Sequence, residues 1–314
     1  MAKHRIVFMG SGDFGIPALQ ALHQQAWGDI VALITQPDKP AGRGRQLKPP
    51  PIKEAAAVLG IPVLQPASLR TPDGMGAVRA LAPDVIVVAA YGQWIPPEVF
   101  AAPPFHSLNI HPSLLPRHRG AAPAMSAILA GDTETGVTII LVSEEMDAGD
   151  ILSQATMPIL PEDTTGSLMQ KLADLGAALI VDTLPRWLAG QVRPTPQDHS
   201  KATWFKRVSK EAGLIDWAES AETIWRKVRA FNPWPSAYTF LNGRRLIIHR
   251  AMPVPADILR PAAPGEVVLH PDGPAVGTGS TPLLLLEVQP EGKRRMTGKE
   301  FLAGQRTLAG ARLG

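Results

Sequence analysis

Cysteine is absent from this chain of 314 residues. That excludes a disulfide scaffold, thiolate metal ligands and a cysteine nucleophile, and it suits a reducing compartment, so the cytoplasm is the expected location. Long apolar runs are lacking too: DVIVVAAYG at 84–92 and GVTIILV at 136–142 are the longest, well short of the ~18 residues that span a bilayer. The apolar stretch in the N-terminal MAKHRIVFMGSGD is only about four residues long, too short for the hydrophobic region of a signal peptide, and it reads as a first strand. No membrane association is expected. There is no G-x-S-x-G elbow and no His-Glu-x-x-His helix, which argues against a serine acyl-enzyme and a zinc site. His106, His111 and His118 have no Cys partners and do not form a metal-ligand spacing, so no metal is expected.

What is present is ordinary globular material, 45% hydrophobic, in a chain long enough for two domains. The formal charge of +3 is unevenly spread. Residues 1–189 carry 13 Lys/Arg against 17 Asp/Glu, and residues 190–314 carry 18 against 11. A basic C-terminal half predicts attraction to a polyanion, most simply nucleic acid, although a solvated basic surface without a partner has the same composition.

The first half alternates strand-like and helix-like segments, the pattern of an α/β domain with a parallel sheet. HRIVFMG, DIVALIT, IPVLQP, DVIVVAAY, SLNIH and GVTIILV read as strands, several near-continuous in Val and Ile as doubly covered parallel strands are. Helical pieces lie between them, and a long one from Thr164 to Gly190 closes the layer, its regular part expected to end near Pro185. Residues 190–207 read as a linker of polar-proline steps, ending in a basic cluster with Lys206 and Arg207. Beyond it a helix and about five short strands with turns at Asn242-Gly243 and Asp272-Gly273 predict a small β-barrel over 208–314.

Three motifs carry chemistry. Gly10-x-Gly12-x-x-Gly15 follows a strand, but the acid expected to end strand two of a dinucleotide site is missing, so the glycines read as a tight strand-to-helix turn. The loop PDKPAGRGRQLKPPP displays Lys39, Arg43, Arg45 and Lys48 near the C-terminal edge of the sheet, where open α/β sheets bind ligands, and suits a phosphate-bearing substrate. Asn109 and His111 are two apart on a strand and so project from one face. A carboxamide can bond an oxyanion, an imidazole can move protons, and a carboxylate can orient it. Asp147 or Asp150 could supply that carboxylate, and spacing does not choose. Alone, His111 reads as a strand-end histidine on a backbone group; its neighbours point instead to acyl transfer with the nucleophile supplied by a substrate amine.

The run Asn-x-His-x-Ser-Leu-Leu-Pro from Asn109, Arg-x-Arg-Gly-Ala-Ala-Pro from Arg117, Gly-Val-Thr from Gly136, Met-Asp-x-Gly-Asp-Ile-Leu from Met146, Pro-Ala-Gly-Arg-Gly from Pro40 and Arg-Ala-Phe-Asn-Pro-Trp-Pro from Arg229 resembles the methionyl-tRNA formyltransferase family. The match runs the length of the chain. It implies a Rossmann-like formyltransferase domain (1–189) joined to an OB-like, tRNA-binding barrel, with 10-formyltetrahydrofolate as formyl donor and initiator methionyl-tRNA as acceptor. By it Asn109, His111 and Asp147 become the catalytic set, Ser113, Leu114, Leu115 and Pro116 the segment beside the folate, and Arg43 a residue approaching the tRNA acceptor end. Arg45, Lys48, Lys206 and Arg207 are expected to join Arg43 on the tRNA. Ala148, His118 and Gly12 depart from the family pattern, where Thr, Trp and Pro are usual. Amino-sugar nucleotide formyltransferases and formyltetrahydrofolate hydrolases share the same chemistry and form the alternative; a non-catalytic RNA-binding protein and a nicotinamide oxidoreductase are more distant ones. A monomer without an obligate protein partner is expected.

Overall fold

The computed structural model describes residues 3–41, 46–259, 262–305 and 308–314. The chain divides into two compact units. The first comprises residues 1–123, 134–158 and 169–205, the second 124–133, 159–168 and 206–314. Among the described residues no helix is long and apolar enough to cross a membrane.

The first unit is built on strands β1 (His4–Gly10), β2 (Gly28–Ile34), β3 (Lys39–Ala41), β4 (Gln46–Lys48), β5 (Val63–Leu64), β6 (Val85–Ala89), β7 (Ser107–His111), β8 (Arg119–Gly120), β9 (Glu134–Leu141), β10 (Ile151–Pro158) and β11 (Trp204–Phe205). Seven of them form one sheet in the order β10-β9-β7-β6-β1-β2-β5. The ladders from β7 through to β5 are parallel, while β9 and β10 add to the β7 edge antiparallel. β1 and β6 are apolar on both faces and wholly buried over Ile6–Met9 and Val85–Val87, as strands covered by helices must be. From β1 the chain steps outward to β2; from β6 it steps the other way to β7. The switch point between β1 and β6 is where such sheets open a crevice at their C-terminal edge.

Helices α1 (Ile16–His23), α2 (Pro51–Val58), α3 (Pro72–Ala80) and α4 (Pro97–Phe100) carry the crossovers, and α5 (Pro123–Ala130) and α6 (Thr165–Leu188) follow. α6 runs through Pro185 instead of ending there. The ring removes one N–H, yet the amide of Ala189 still bonds back to the Pro185 carbonyl, so the last turn survives the loss of a single rung. The turn after β1 is packed as its glycines require. A Cβ on Gly10 would sit 2.9 Å from the Ala89 carbonyl oxygen, and one on Gly15 would sit 3.0 Å from the Ile52 side chain.

The second unit holds helix α7 (Ala221–Ala230) and strands β12 (Ala237–Leu241), β13 (Arg244–Pro253), β14 (Val267–His270), β15 (Gly273–Val276), β16 (Leu283–Pro290) and β17 (Met296–Thr297), then α8 (Gly298–Ala303). The antiparallel order is β12-β13-β16-β15-β14, and β17 pairs with β16. Bridges from Leu313 to Leu241 and from Arg312 to Glu266 join the C-terminal residues to both ends of that order, which closes the sheet as a barrel does. Asn242 and Gly243 take φ 51° and 72° at the β12–β13 turn, the left-handed pair that a two-residue hairpin of this sequence adopts. Trp217, 5% exposed, packs in this core and donates to Thr239 Oγ1 at 3.0 Å.

Candidate active site

Asn109 and His111 close β7, in register with Val88 of β6 and with Ile140 and Thr138 of β9. Strand periodicity sets their side chains on one face. His111 is buried, whereas Asn109 is half-buried, and among the described residues the Asn109 carboxamide has no hydrogen-bond partner. Fully buried polar groups normally have a partner; this half-buried amide is open to solvent or to a ligand.

The imidazole of His111 is held at both nitrogens. Nδ1 lies 3.4 Å from Asp147 Oδ1, and Nε2 lies 3.2 Å from the His118 carbonyl oxygen. A doubly protonated ring donates to both acceptors and a neutral ring to only one. The partner of Nε2 is the backbone carbonyl of His118. The His118 amide in turn donates to Thr203 Oγ1 at 2.8 Å.

Asp147 comes from the loop between β9 and β10, at φ 54°, a left-handed conformation uncommon for a residue with a side chain. Its Oδ2 accepts from the Gly120 amide at 2.8 Å. The carboxylate is therefore pinned on one oxygen by backbone and offers the other to His111. Spacing left Asp147 and Asp150 open; in the structure it is Asp147 that lies against His111. Gly149 shapes this loop, because a Cβ there would fall 1.8 Å from the Leu141 carbonyl oxygen.

Beyond His111 the segment Ser113–Pro116 is bonded to residues of β9 and β10. Ser113 and Leu115 are buried. Thr138 Oγ1 accepts from the Leu115 amide at 3.1 Å and donates to the Ser113 carbonyl at 2.6 Å, and Gln154 Nε2 donates to the Leu115 carbonyl at 2.9 Å. The Ser113 amide donates to the His111 carbonyl, and the Leu114 and Pro116 carbonyls accept from the Arg117 and Thr203 amides, so nearly all of the segment's backbone is engaged and a ligand beside it meets a preformed wall. Leu114 and Pro116 are half-buried. On the other flank, at the switch point, Ser11 Oγ donates to the Tyr91 carbonyl at 2.9 Å, and Gln36 Nε2 donates to the same carbonyl at 2.7 Å. Tyr91 is 2% exposed, and burial pushes its phenol up to about 12.

The basic loop is partly visible. Lys48 stands exposed on the β3–β4 hairpin, while Arg43 and Arg45 lie outside the described residues. Lys206 and Arg207 are exposed at the start of the last stretch of the second unit. Within 190–205, β11 pairs with β8, and Gln197, 5% exposed, reaches the Asp147 loop. A single amide in a proline-rich run offers no periodicity that would mark it in advance. At Gly12 a Cβ would meet nothing within 4 Å, so this departure from the family pattern needs no compensation. Among the described residues no three His, Asp or Glu side chains converge as a metal site.

Comparison with known proteins bears on this geometry. Residues 4–184 match the family model described as formyl transferase, and 207–306 match formyl transferase, C-terminal domain. The methionyl-tRNA formyltransferase of Chloroflexus aggregans is 50% identical over 303 residues, covering 96% of this chain and 97% of that protein. The methionyl-tRNA formyltransferase of a Roseiflexus species is 46% identical over 310 residues, with coverage of 99% and 95%. Among solved structures, the sugar 3N-formyl transferase WlaRD, crystallised in the presence of dTDP and 5-N-formyl-THF, superposes with TM-score 0.67 at 17% identity, over 94% of this chain and 100% of that one. That likeness speaks for the fold.

Proposed function

This chain belongs to the methionyl-tRNA formyltransferase family, and from that premise we propose how Asn109, His111 and Asp147 carry its reaction. The enzyme transfers the formyl group of 10-formyltetrahydrofolate to the α-amine of methionine on initiator methionyl-tRNA. The donor supplies an amide-like formyl carbon on N10, and the methionyl amine supplies the nucleophile. A C–N bond forms to the amine, the bond from the formyl carbon to N10 breaks, the amine loses one proton and N10 gains one.

Asn109 donates to the formyl oxygen as it gains charge. The observation that carries this assignment is its half-buried carboxamide, without a partner among the described residues, on the strand face it shares with His111. His111 takes the amine's proton and returns one to N10. Nε2 is the nitrogen that exchanges, because it faces a neutral carbonyl, whereas Nδ1 faces the Asp147 carboxylate, a stronger acceptor. Asp147 keeps the ring oriented and offsets its positive charge. Ser113, Leu114, Leu115 and Pro116 form the wall against which the folate rests. Arg43, Arg45 and Lys48 on the loop, with Lys206 and Arg207, meet tRNA phosphates. The enzyme works as a cytoplasmic monomer, which light scattering checks.

The test is a formyl-transfer assay with charged initiator tRNA, an amino-sugar nucleotide and water as acceptors. Only the tRNA reaction is expected to be fast and to fall steeply with salt; equal turnover of the sugar nucleotide or of water would overturn the substrate assignment. Asn109→Ala and His111→Ala should each lower kcat about 10²–10³-fold, the scale of a lost oxyanion donor. A His111→Ala enzyme at the parent rate would remove the imidazole from the mechanism.

A further inference from the structure

We infer that Gln197 is a positioning residue for the reaction, gripping the backbone of the Asp147 loop so that the carboxylate stays on His111; the inference rests on the role given above to Asp147. The two hydrogens of the Gln197 side-chain amide go to two carbonyls of one loop, Asp147 at 2.8 Å and Gly149 at 2.7 Å. Its Oε1 accepts from Arg119, at 2.7 Å from the terminal nitrogen and 3.3 Å from Nε.

Chemistry fixes the direction of this amide. A guanidinium only donates, and the two loop carbonyls only accept, so the oxygen must face Arg119 and the nitrogen must face the loop. Arg119 is itself 1% exposed. It is held further by Glu145 at 3.4 Å, by His199 Nδ1 at 3.3 Å and by the Trp204 ring, whose centroid lies 5.4 Å from its guanidinium carbon. A buried arginine therefore anchors a buried glutamine, and the glutamine anchors the loop.

The loop needs such an anchor. Asp147 holds φ 54°, a left-handed conformation that persists only where the surroundings enforce it. The segment that brings Gln197 also supplies β11, which pairs with Arg119 and Gly120, and the Gly120 amide is the donor to Asp147 Oδ2. Gly120 sits at φ 107°, and a Cβ on it would lie 2.8 Å from the Phe205 carbonyl oxygen. One stretch, 197–205, thus fixes the backbone carbonyl of Asp147 directly and its carboxylate through Gly120.

The experiment compares the full-length parent, Gln197→Met, Gln197→Glu, Asp147→Asn and the double variant Gln197→Met/Asp147→Asn, assayed with charged tRNA and 10-formyltetrahydrofolate. Displacing a group in an active site by about 1 Å costs on the order of 100-fold, so Gln197→Met is expected to lower kcat about 10- to 100-fold while both KM values stay within about twofold. Gln197→Glu has the same shape and keeps the acceptor for Arg119, but it cannot donate to the two carbonyls. It should lose kcat to a similar extent, and it serves where the Met variant folds poorly. In the Asp147→Asn background Gln197→Met should add less than about threefold, since residues acting through one another are not additive. Parental kcat in both Gln197 variants, or the same fold-loss with and without Asp147, overturns the inference and leaves the role of Asp147 standing. A parental rate for Asp147→Asn removes that role, and the inference with it.

Discussion

Thr138 is wholly buried, and its hydroxyl serves three partners: the Leu115 amide at 3.1 Å, the Gln154 amide at 3.0 Å and the Ser113 carbonyl at 2.6 Å. Thr138→Val keeps the shape and leaves the Leu115 amide and the Ser113 carbonyl unpaired, while Gln154 keeps its bond to the Leu115 carbonyl. Each buried orphan costs ~1–3 kcal/mol, so the variant should lose about 3 kcal/mol. The midpoint of urea unfolding would fall at unchanged m, and KM for the formyl donor would rise as the Ser113–Pro116 wall loosens. An unchanged midpoint would show that the hydroxyl is not the hub of this segment. Such residues mark the limit of reading by sequence. That Asn109 and His111 share one strand face was legible, because their spacing fixes that relation locally. Thr138 lies 23 residues from its Leu115 partner, and Gln197 lies 50 residues from Asp147, and no local pattern encodes either pairing. The choice between Asp147 and Asp150 likewise waited on the family motif and on the loop geometry.

Elements were legible where burial is two-sided and hidden where it is not. β1 and β6 stand out as apolar runs, and β7, Ser-Leu-Asn-Ile-His, by its two-residue alternation. β10, an edge strand with Ser153, Gln154 and Thr156 along it, reads like loop because an edge keeps few apolar positions. The loop after β2 held a further surprise. It contains the β3–β4 hairpin, with Lys39 opposite Lys48, rooted by Asp38. Gln65 Nε2 donates to the Asp38 carboxylate at 2.7 Å, and Lys53 Nζ donates at 2.9 and 3.0 Å. Those two donors, Gln65 foremost, hold the carboxyl below the usual carboxylate range. A depressed carboxyl stabilises the folded state above its ordinary titration, and that contribution disappears as pH falls through the lowered value. Asp38→Asn removes the charge at every pH. It should speed amide hydrogen exchange across Lys39–Ala41 and Gln46–Lys48 several-fold at neutral pH, with little change in global stability, as expected for local opening. Equal exchange in parent and variant would mean that the hairpin is rooted elsewhere.

At the scale of the whole molecule, length gave the expectation of two domains and composition the charge asymmetry, while the membership of the compact units is written in neither. Residues 124–133 and 159–168 fall in the second unit, where Arg229 donates to the carbonyls of Asp163 and Leu160 at 2.8 Å each; a linear boundary near 189 cannot express that grouping. A cut at that point would also strip Gln197 and β11 from the first unit. The charge argument leads to the most general expectation. A substrate that is a polyanion releases counterions when cationic side chains neutralise its phosphates, so log affinity falls linearly with log salt, by ~0.7–0.9 per phosphate contacted. Lys206 and Arg207 are exposed and sit in the half that carries 18 Lys/Arg against 11 Asp/Glu. Reversing both, Lys206→Glu with Arg207→Glu, should raise KM for charged tRNA at fixed salt and lower the salt slope by roughly 1–2. KM for the formyl donor, which carries no phosphate, should not move. Steady-state assays from low to moderate salt measure all three quantities, and a slope identical to the parent's would place the tRNA backbone away from these two side chains.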